Sequence, residues 1–359
     1  MSIHSGNSDR LSATPSLRQR ITGLFVGLAV VNITAWVWAI FVLRDQPVLL
    51  GTAFLAYMLG LRHAVDPDHI AAIDNVTRKL LQQGEQPVST GLWFALGHST
   101  VVFAACLLIG ILAAGATGAL SGFKAYGGVI GTMVSTLFLL TIGLLNLTIF
   151  LGVWRTVQHV RRGGSLREDD FDLLMSKHGV LARILRPLFR LISRPWHMYP
   201  LGLLFGLGFD TATSIGLFSM AAVTASDGVS LSTVMVFPVL FAAAMALADA
   251  ADGAMMLGAY QWARQHPMRK LYYNLTITGA SVFIALVIGG IQGMGLLAEH
   301  FSLSGGLWNG VRAMQEHFDI LGFAIVGFFA LLWGVSATMF HRSKVAPAEL
   351  KPVQARAAD

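Results

Sequence analysis

Eight continuously apolar stretches, each close to the roughly 20 residues that cross a bilayer as a helix, recur along this chain at 21–43, 49–73, 90–115, 127–153, 198–225, 232–261, 274–298 and 318–340. Inside them polar residues do not alternate with apolar ones, as the lipid-facing strands of a β-barrel require. Glycine and other small residues are scattered through them instead. The pattern predicts an all-α integral membrane protein with eight transmembrane helices. A polar tail, residues 1–20, comes first; it contains Arg10, Arg18 and Arg20 and is followed by no clear small-residue cleavage site, so the first apolar run reads as a retained helix rather than a removed signal peptide. Helices 1–4 occupy 21–153, a basic loop covers 154–197, helices 5–8 occupy 198–340, and 341–359 form a second polar tail.

Composition narrows the class further. Hydrophobic residues make up 55% of the chain and charged ones only 12%, with a mean hydropathy of +0.64. A soluble domain needs about a quarter of its residues charged. All of the 25 Lys and Arg residues except Arg44, Arg62, Lys124 and Arg312 fall in segments on one side of the eight-helix arrangement. Cytoplasmic loops collect positive charge, so both termini and the 154–197 loop are expected in the cytoplasm. The basic residues flank apolar spans and no nucleic-acid motif accompanies them, which leaves topology as the reason for the charge. Within the loop, Val180 to Ile192 reads either as an amphipathic helix on the anionic leaflet or as a solvated segment. The single cysteine, Cys106, lies within helix 3. It excludes an internal disulfide and any thiolate metal cage.

The polar residues inside the spans carry the chemistry. Arg62-His63-Ala64-Val65-Asp66-Pro67-Asp68-His69 puts two imidazoles and two carboxylates into an apolar run, where ionisable groups are expensive and mark ion or substrate paths. Pro67 removes a backbone donor and clashes with the carbonyl of His63, so helix 2 should bend or break there. Breaks of this kind bring ligands together at midmembrane in transporters, and here they could let His63, Asp68 and His69 converge. Imidazole with carboxylate suits divalent first-row metals such as nickel, cobalt or zinc. The structural alternative is a set of His-Asp contacts that only pack helices.

His98 lies in helix 3 as a single histidine whose neighbours Ser99 and Thr100 could bond it. Asp210 in helix 5, with Asp249 and Asp252 three apart in helix 6, adds carboxylates. Counting Arg62 as their one intramembrane cation leaves Asp66, Asp68, Asp210, Asp249 and Asp252 in excess, which a bound divalent cation, water or protonation must offset, a dication being the economical answer. Asp74, by contrast, is placed to pair with Arg78 four residues on. The halves of the chain also share a short likeness: Phe94-Ala-Leu-Gly-His-Ser-Thr100 matches Phe205-Gly-Leu-Gly-Phe-Asp-Thr211 at four of seven positions, an internal repeat or a coincidence of composition.

These residues resemble the nickel/cobalt transporter family (NiCoT), and in particular its high-affinity bacterial nickel permeases, whose mark is His-X4-Asp-His in the second helix. Here that is His63, Asp68 and His69. The resemblance continues through Leu96-Gly-His-Ser-Thr-Val-Val102, Leu207-Gly-Phe-Asp-Thr-Ala-Thr213 and Met245-Ala-Leu-Ala-Asp-Ala-Ala-Asp-Gly253, and it spans nearly the whole chain. It implies a secondary permease of the bacterial cytoplasmic membrane that imports Ni2+, with Co2+ as a possible second ion. His63, Asp68 and His69 would be central to recognition, joined by His98 and Asp66. Asn32 and Val65 match positions that resemble selectivity determinants, valine resembling the nickel-preferring subgroup.

Three positions depart from the family pattern: Ser214 where Glu is usual, Ala250 and Ala251 between the aspartates, and Pro67 where Ala is common. On this reading Ni2+ is cargo and no cofactor is expected. The surroundings are lipid, and no nucleotide-binding motif appears, so no ATPase partner is required. The rivals are a permease preferring Co2+ or Zn2+, an exporter, and a membrane-embedded metalloenzyme. The last lacks a His-Glu-X-X-His motif and the dense histidines of a di-iron site.

Overall fold

The computed structural model describes residues 16–112, 117–161, 192–207, 212–226, 228–263 and 267–342. Among the described residues the chain is helical and forms no strand. Asp210, and Val180 to Leu191 of the basic loop, lie outside them.

A capping box opens α1 (Leu17–Leu43): the Ser16 hydroxyl accepts from the Gln19 backbone N–H, and the Gln19 side chain accepts in return from the Ser16 N–H at 2.8 Å. One side of α1 is bare apolar surface, with Ile33, Val37 and Phe41 more than half exposed, as suits a helix facing lipid. Pro47 then starts α2 (Pro47–His63). Three residues, Ala64 to Asp66, separate it from α3 (Pro67–Gln82), and the two axes differ by 51°.

The break follows from Pro67. With no N–H to offer, proline leaves the His63 carbonyl without its helical donor, and the Asp66 N–H takes it instead at 3.0 Å in a tightened last turn. The Ile70 N–H bonding Asp66 O at 3.2 Å then begins the next helix. Gly322 seals the break from outside, since a Cβ at that position would overlap the Val65 carbonyl.

After α4 (Thr90–Leu112) comes α5 (Thr117–Arg161), 45 residues long. At about 1.5 Å per residue it spans about 67 Å, far beyond a hydrocarbon core of about 30 Å. It overruns the expected 127–153 at both ends, so Lys124 and Arg155 lie on helix rather than loop. The described parts of the fifth apolar stretch hold α6 (Met198–Gly206) and α7 (Ala212–Ser226). Then follow α8 (Val236–Ala263), α9 (Pro267–His300), an amphipathic α10 (Gly306–Glu316) that apolar pattern did not foretell, and α11 (Phe318–Arg342).

Among the described residues, five helices are individually long and apolar enough to cross a membrane, six if α2 and α3 count as one broken span. The chain is therefore a multi-pass membrane protein. At the centre stands α8, packed on α1, α2, α3 and α4. Gly60 of α2 lies against the Phe241 carbonyl and Gly91 of α4 against that of Asp249. Glycine also lets α4 and α6 meet: Gly97 lies on the Tyr199 carbonyl and Gly202 on that of Phe94. Two residues of the second segment of the short internal likeness touch the first: Phe205 lies 5.3 Å from Phe94 between ring centres, and Gly206 lies against the His98 carbonyl.

Polar residues that sequence places beyond helix 2 are inside the bundle. α3 runs on through Gln82, and Arg78 and Lys79 are buried. Arg78 does not pair with Asp74, contrary to expectation. Asn75 uses its amide N–H on the Ala71 carbonyl at 2.7 Å, which leaves its Oδ1 to accept from Arg78 and from Asn146, each at 2.7 Å.

Candidate metal centre

Because α2 stops at His63 and α3 starts at Pro67, both histidines of the segment point into the same space beneath the break. Their ring centres are 4.7 Å apart, edge to face. His98 enters from α4, 4.7 Å from His63 and 4.8 Å from His69 between ring centres. All three are buried, and one nitrogen from each lies within 4.8 Å of the others. The closest approach, His63 Nε2 to His98 Nε2, is 2.9 Å. Ligands on opposite sides of an ion with bonds of about 2.1 Å stand about 4.2 Å apart. Gathering these rings on one ion therefore needs only small adjustments. Phe94, 4.8 Å from His69, and Phe241, 5.5 Å from His63, wall the cluster with apolar surface.

Carboxylates stand behind the rings. Asp66 Oδ2 lies 2.9 Å from His63 Nδ1, and Asp249 Oδ2 lies 3.6 Å from His69 Nδ1. A carboxylate at Nδ1 favours the tautomer with its proton there, which leaves Nε2 as a lone pair facing the cluster. With His63 in that state, His98 supplies the proton in the Nε2 to Nε2 contact. On meeting a cation His98 must shift that proton to Nδ1, an atom that has no partner of its own. Ser99 and Thr100 do not serve His98: Thr100 bonds the Leu96 carbonyl at 2.7 Å and meets the Tyr199 hydroxyl at 3.0 Å, and Ser99 Oγ has no bond.

Asp68 faces elsewhere. Its Oδ1 accepts from the His69 N–H at 3.0 Å and its Oδ2 from Gln292 Nε2 at 3.2 Å, with Ser135 Oγ 3.4 Å away. On α8, Asp249 is buried and Asp252, one helical turn on, is half-buried with its carboxylate oxygens shielded; neither makes a hydrogen bond through those oxygens. The Gly253 position, beside Asp252, would put a Cβ 3.5 Å from Ile73 of α3.

Asn32 and Val65 lie one step away from the three histidines. Asn32 donates to the Leu28 and Ala243 carbonyls at 2.9 and 3.2 Å and accepts from the Tyr57 hydroxyl at 3.0 Å, tying α1 to α8 and α2. Val65 forms the break itself. Sequence reasoning passed over Ser135, Gln292 and Tyr57; the available signal was a lone amide, Gln292, within an otherwise apolar helix.

Long apolar helices around a polar, imidazole-lined break define a multi-pass membrane protein of the transporter class. The chain belongs to the high-affinity nickel-transport protein family, whose model matches residues 49–339. It is 52% identical over 342 residues to a high-affinity nickel transport protein of Cupriavidus necator, covering 95% of this chain and 97% of that one. It is 42% identical over 302 residues to the nickel transporter NixA of Staphylococcus aureus, covering 84% and 88%. A cobalt transport protein of Rhodococcus rhodochrous, NhlF, is 39% identical over 299 residues, covering 82% and 84%. No solved structure matches the chain.

Proposed function

We propose that this chain is a secondary permease that imports Ni2+ through the bacterial cytoplasmic membrane, crossing it eight times with both termini inside. The observation that carries the reading is the meeting of His63, His69 and His98 at a helix break, in a member of a nickel-transport family. Three imidazoles backed by carboxylates form a ligand set for a late first-row dication rather than for an alkali ion, which prefers oxygen alone. Helical backbone in the described part of each of the eight apolar stretches supports the eight-span arrangement, the second span being broken between His63 and Pro67.

In this mechanism Ni2+ arrives from the periplasm and exchanges water for the Nε2 lone pairs of His63 and His69 and for His98. Asp66 holds His63 in its ligating tautomer, Asp249 places negative charge 3.6 Å behind His69 Nδ1, and Asp68 adds negative charge at the start of α3. Asp249 and Asp252 continue the path toward the cytoplasm as the bundle rocks, and Asp210 is a further candidate for the path. Inward movement of a dication gains about 4.6 kcal/mol per 100 mV, twice the single-charge value. The membrane potential is enough to drive uptake without ATP. Co2+ is a second substrate on this reading, favoured by the likeness to a cobalt transport protein, with Asn32 and Val65 setting the preference through the angle of the break. Radioactive nickel uptake into cells making the protein tests the proposal against His63→Ala. Loss of uptake in the variant is expected, and equal uptake rejects it.

A further inference from the structure

The Asp68 carboxylate has a holder that no part of the proposed transport path uses. Gly289 and Gly293 let α9 lie close on α5, a Cβ at Gly293 falling 3.1 Å from Thr136 and one at Gly289 falling 3.2 Å from Leu139. The approach brings two buried polar side chains of these helices together, Ser135 and Gln292. Ser135 Oγ donates to Gln292 Oε1 at 2.9 Å, which fixes the amide with its N–H groups toward α3. Gln292 Nε2 then donates to Asp68 Oδ2 at 3.2 Å, while Asp68 Oδ1 takes the His69 backbone N–H. Each oxygen of the carboxylate is thereby held by a separate donor.

We propose that Ser135 and Gln292 are positioning residues for metal recognition, a neutral clamp that orients Asp68 beside the trihistidine cluster and sets its affinity for Ni2+. The inference rests on reading that cluster as the nickel site. Simple interhelical adhesion explains the Ser135 to Gln292 bond alone. It does not explain why an amide N–H of Gln292 is directed at a carboxylate next to His69. Neutrality is the second argument: a Lys or Arg in place of Gln292 would hold Asp68 equally well but cancel the charge that attracts a dication. An amide oriented by a hydroxyl holds the carboxylate without adding a positive charge of its own. Partners of this kind, one step removed from the ion, typically change metal affinity or activity by ten- to hundredfold when removed.

Initial rates of radioactive nickel uptake across a range of Ni2+ concentrations, normalised to protein in the membrane, test the clamp. Gln292→Met keeps the length and loses the donor; Ser135→Ala loses the hydroxyl and Ser135→Thr retains it. Gln292→Met and Ser135→Ala should raise KM about tenfold with Vmax within about twofold of the parent, and Ser135→Thr should restore the parent KM. A purely structural role would lower the amount of protein and leave KM unchanged, which overturns the inference. Should Gln292→Met not accumulate, the two Ser135 variants decide it alone, and equal KM for both overturns it. His63→Ala, measured alongside, separates the two claims. If it transports like the parent the nickel reading itself falls, whereas its inactivity with unshifted KM in the clamp variants removes only the clamp.

Discussion

Replacing Asp66 by alanine isolates the carboxylate behind His63. Asp66 is the residue before the first turn of α3, where an acidic side chain usually caps the helix, and loss of such a cap costs about 1 kcal/mol. Here its side chain makes no cap bond, because it is turned 2.9 Å from His63 Nδ1. The substitution should therefore leave folding nearly unchanged and act on the imidazole. A hydrogen bond to a charged acceptor contributes about 1.5–3 kcal/mol. In the parent that energy favours the tautomer whose Nε2 faces the cluster. At 1.36 kcal/mol per decade, its loss corresponds to a roughly ten- to hundredfold weaker site, the range typical of residues that orient metal ligands. Nickel uptake kinetics at matched membrane protein should show KM rising by that factor in Asp66→Ala. Asp66→Asn, which keeps an acceptor oxygen without its charge, should rise less. A parental KM in Asp66→Ala, or a larger defect in Asp66→Asn than in Asp66→Ala, refutes the argument.

Three further outcomes follow from the packing. Asn32→Leu removes the bonds to Ala243 and Tyr57, each contributing about 0.5–1.5 kcal/mol net. It should change the ratio at which cobalt competes with labelled nickel while uptake itself persists. Gly322→Ala presses a methyl group onto the Val65 carbonyl, and overpacking of this kind costs about 1–3 kcal/mol; uptake should fall, whereas Gly327→Ala, which meets nothing within 4 Å, should match the parent. Gly97→Val forces α4 from the Tyr199 carbonyl and should lower the thermal stability of the detergent-solubilised protein, measured by loss of monodisperse material on heating.

Much of the architecture was legible because lipid imposes a simple rule: backbone must bond within its own segment, and side chains facing it must be apolar. Each apolar stretch accordingly holds a helix, and the proline at position 67 announced the bend between His63 and His69. Boundaries were less legible. Arg78 and Lys79 read as loop residues on charge alone, yet α3 keeps them inside, where Asn75, itself held by Asn146, accepts from Arg78 and the Ile192 carbonyl accepts from Lys79. The amphipathic α10 escaped notice because no long apolar run marks it.

At the centre, the pairing of His63 with His69 was local and readable from spacing. The addition of His98 depends on how α4 crosses α2, a tertiary fact that a lone histidine in a span only hints at. Asp68 makes the same point in reverse. Spacing groups it with the histidines, and its bond partner on α9, Gln292, is 224 positions away along the chain.

The most direct test of the central claim is X-ray absorption at the nickel edge on the purified protein loaded with Ni2+, compared with His98→Ala. The account predicts a first shell containing imidazole nitrogen, with the multiple-scattering signature of three rings in the parent and one fewer in the variant. A shell of oxygen alone, or a parental spectrum unchanged by His98→Ala, contradicts it.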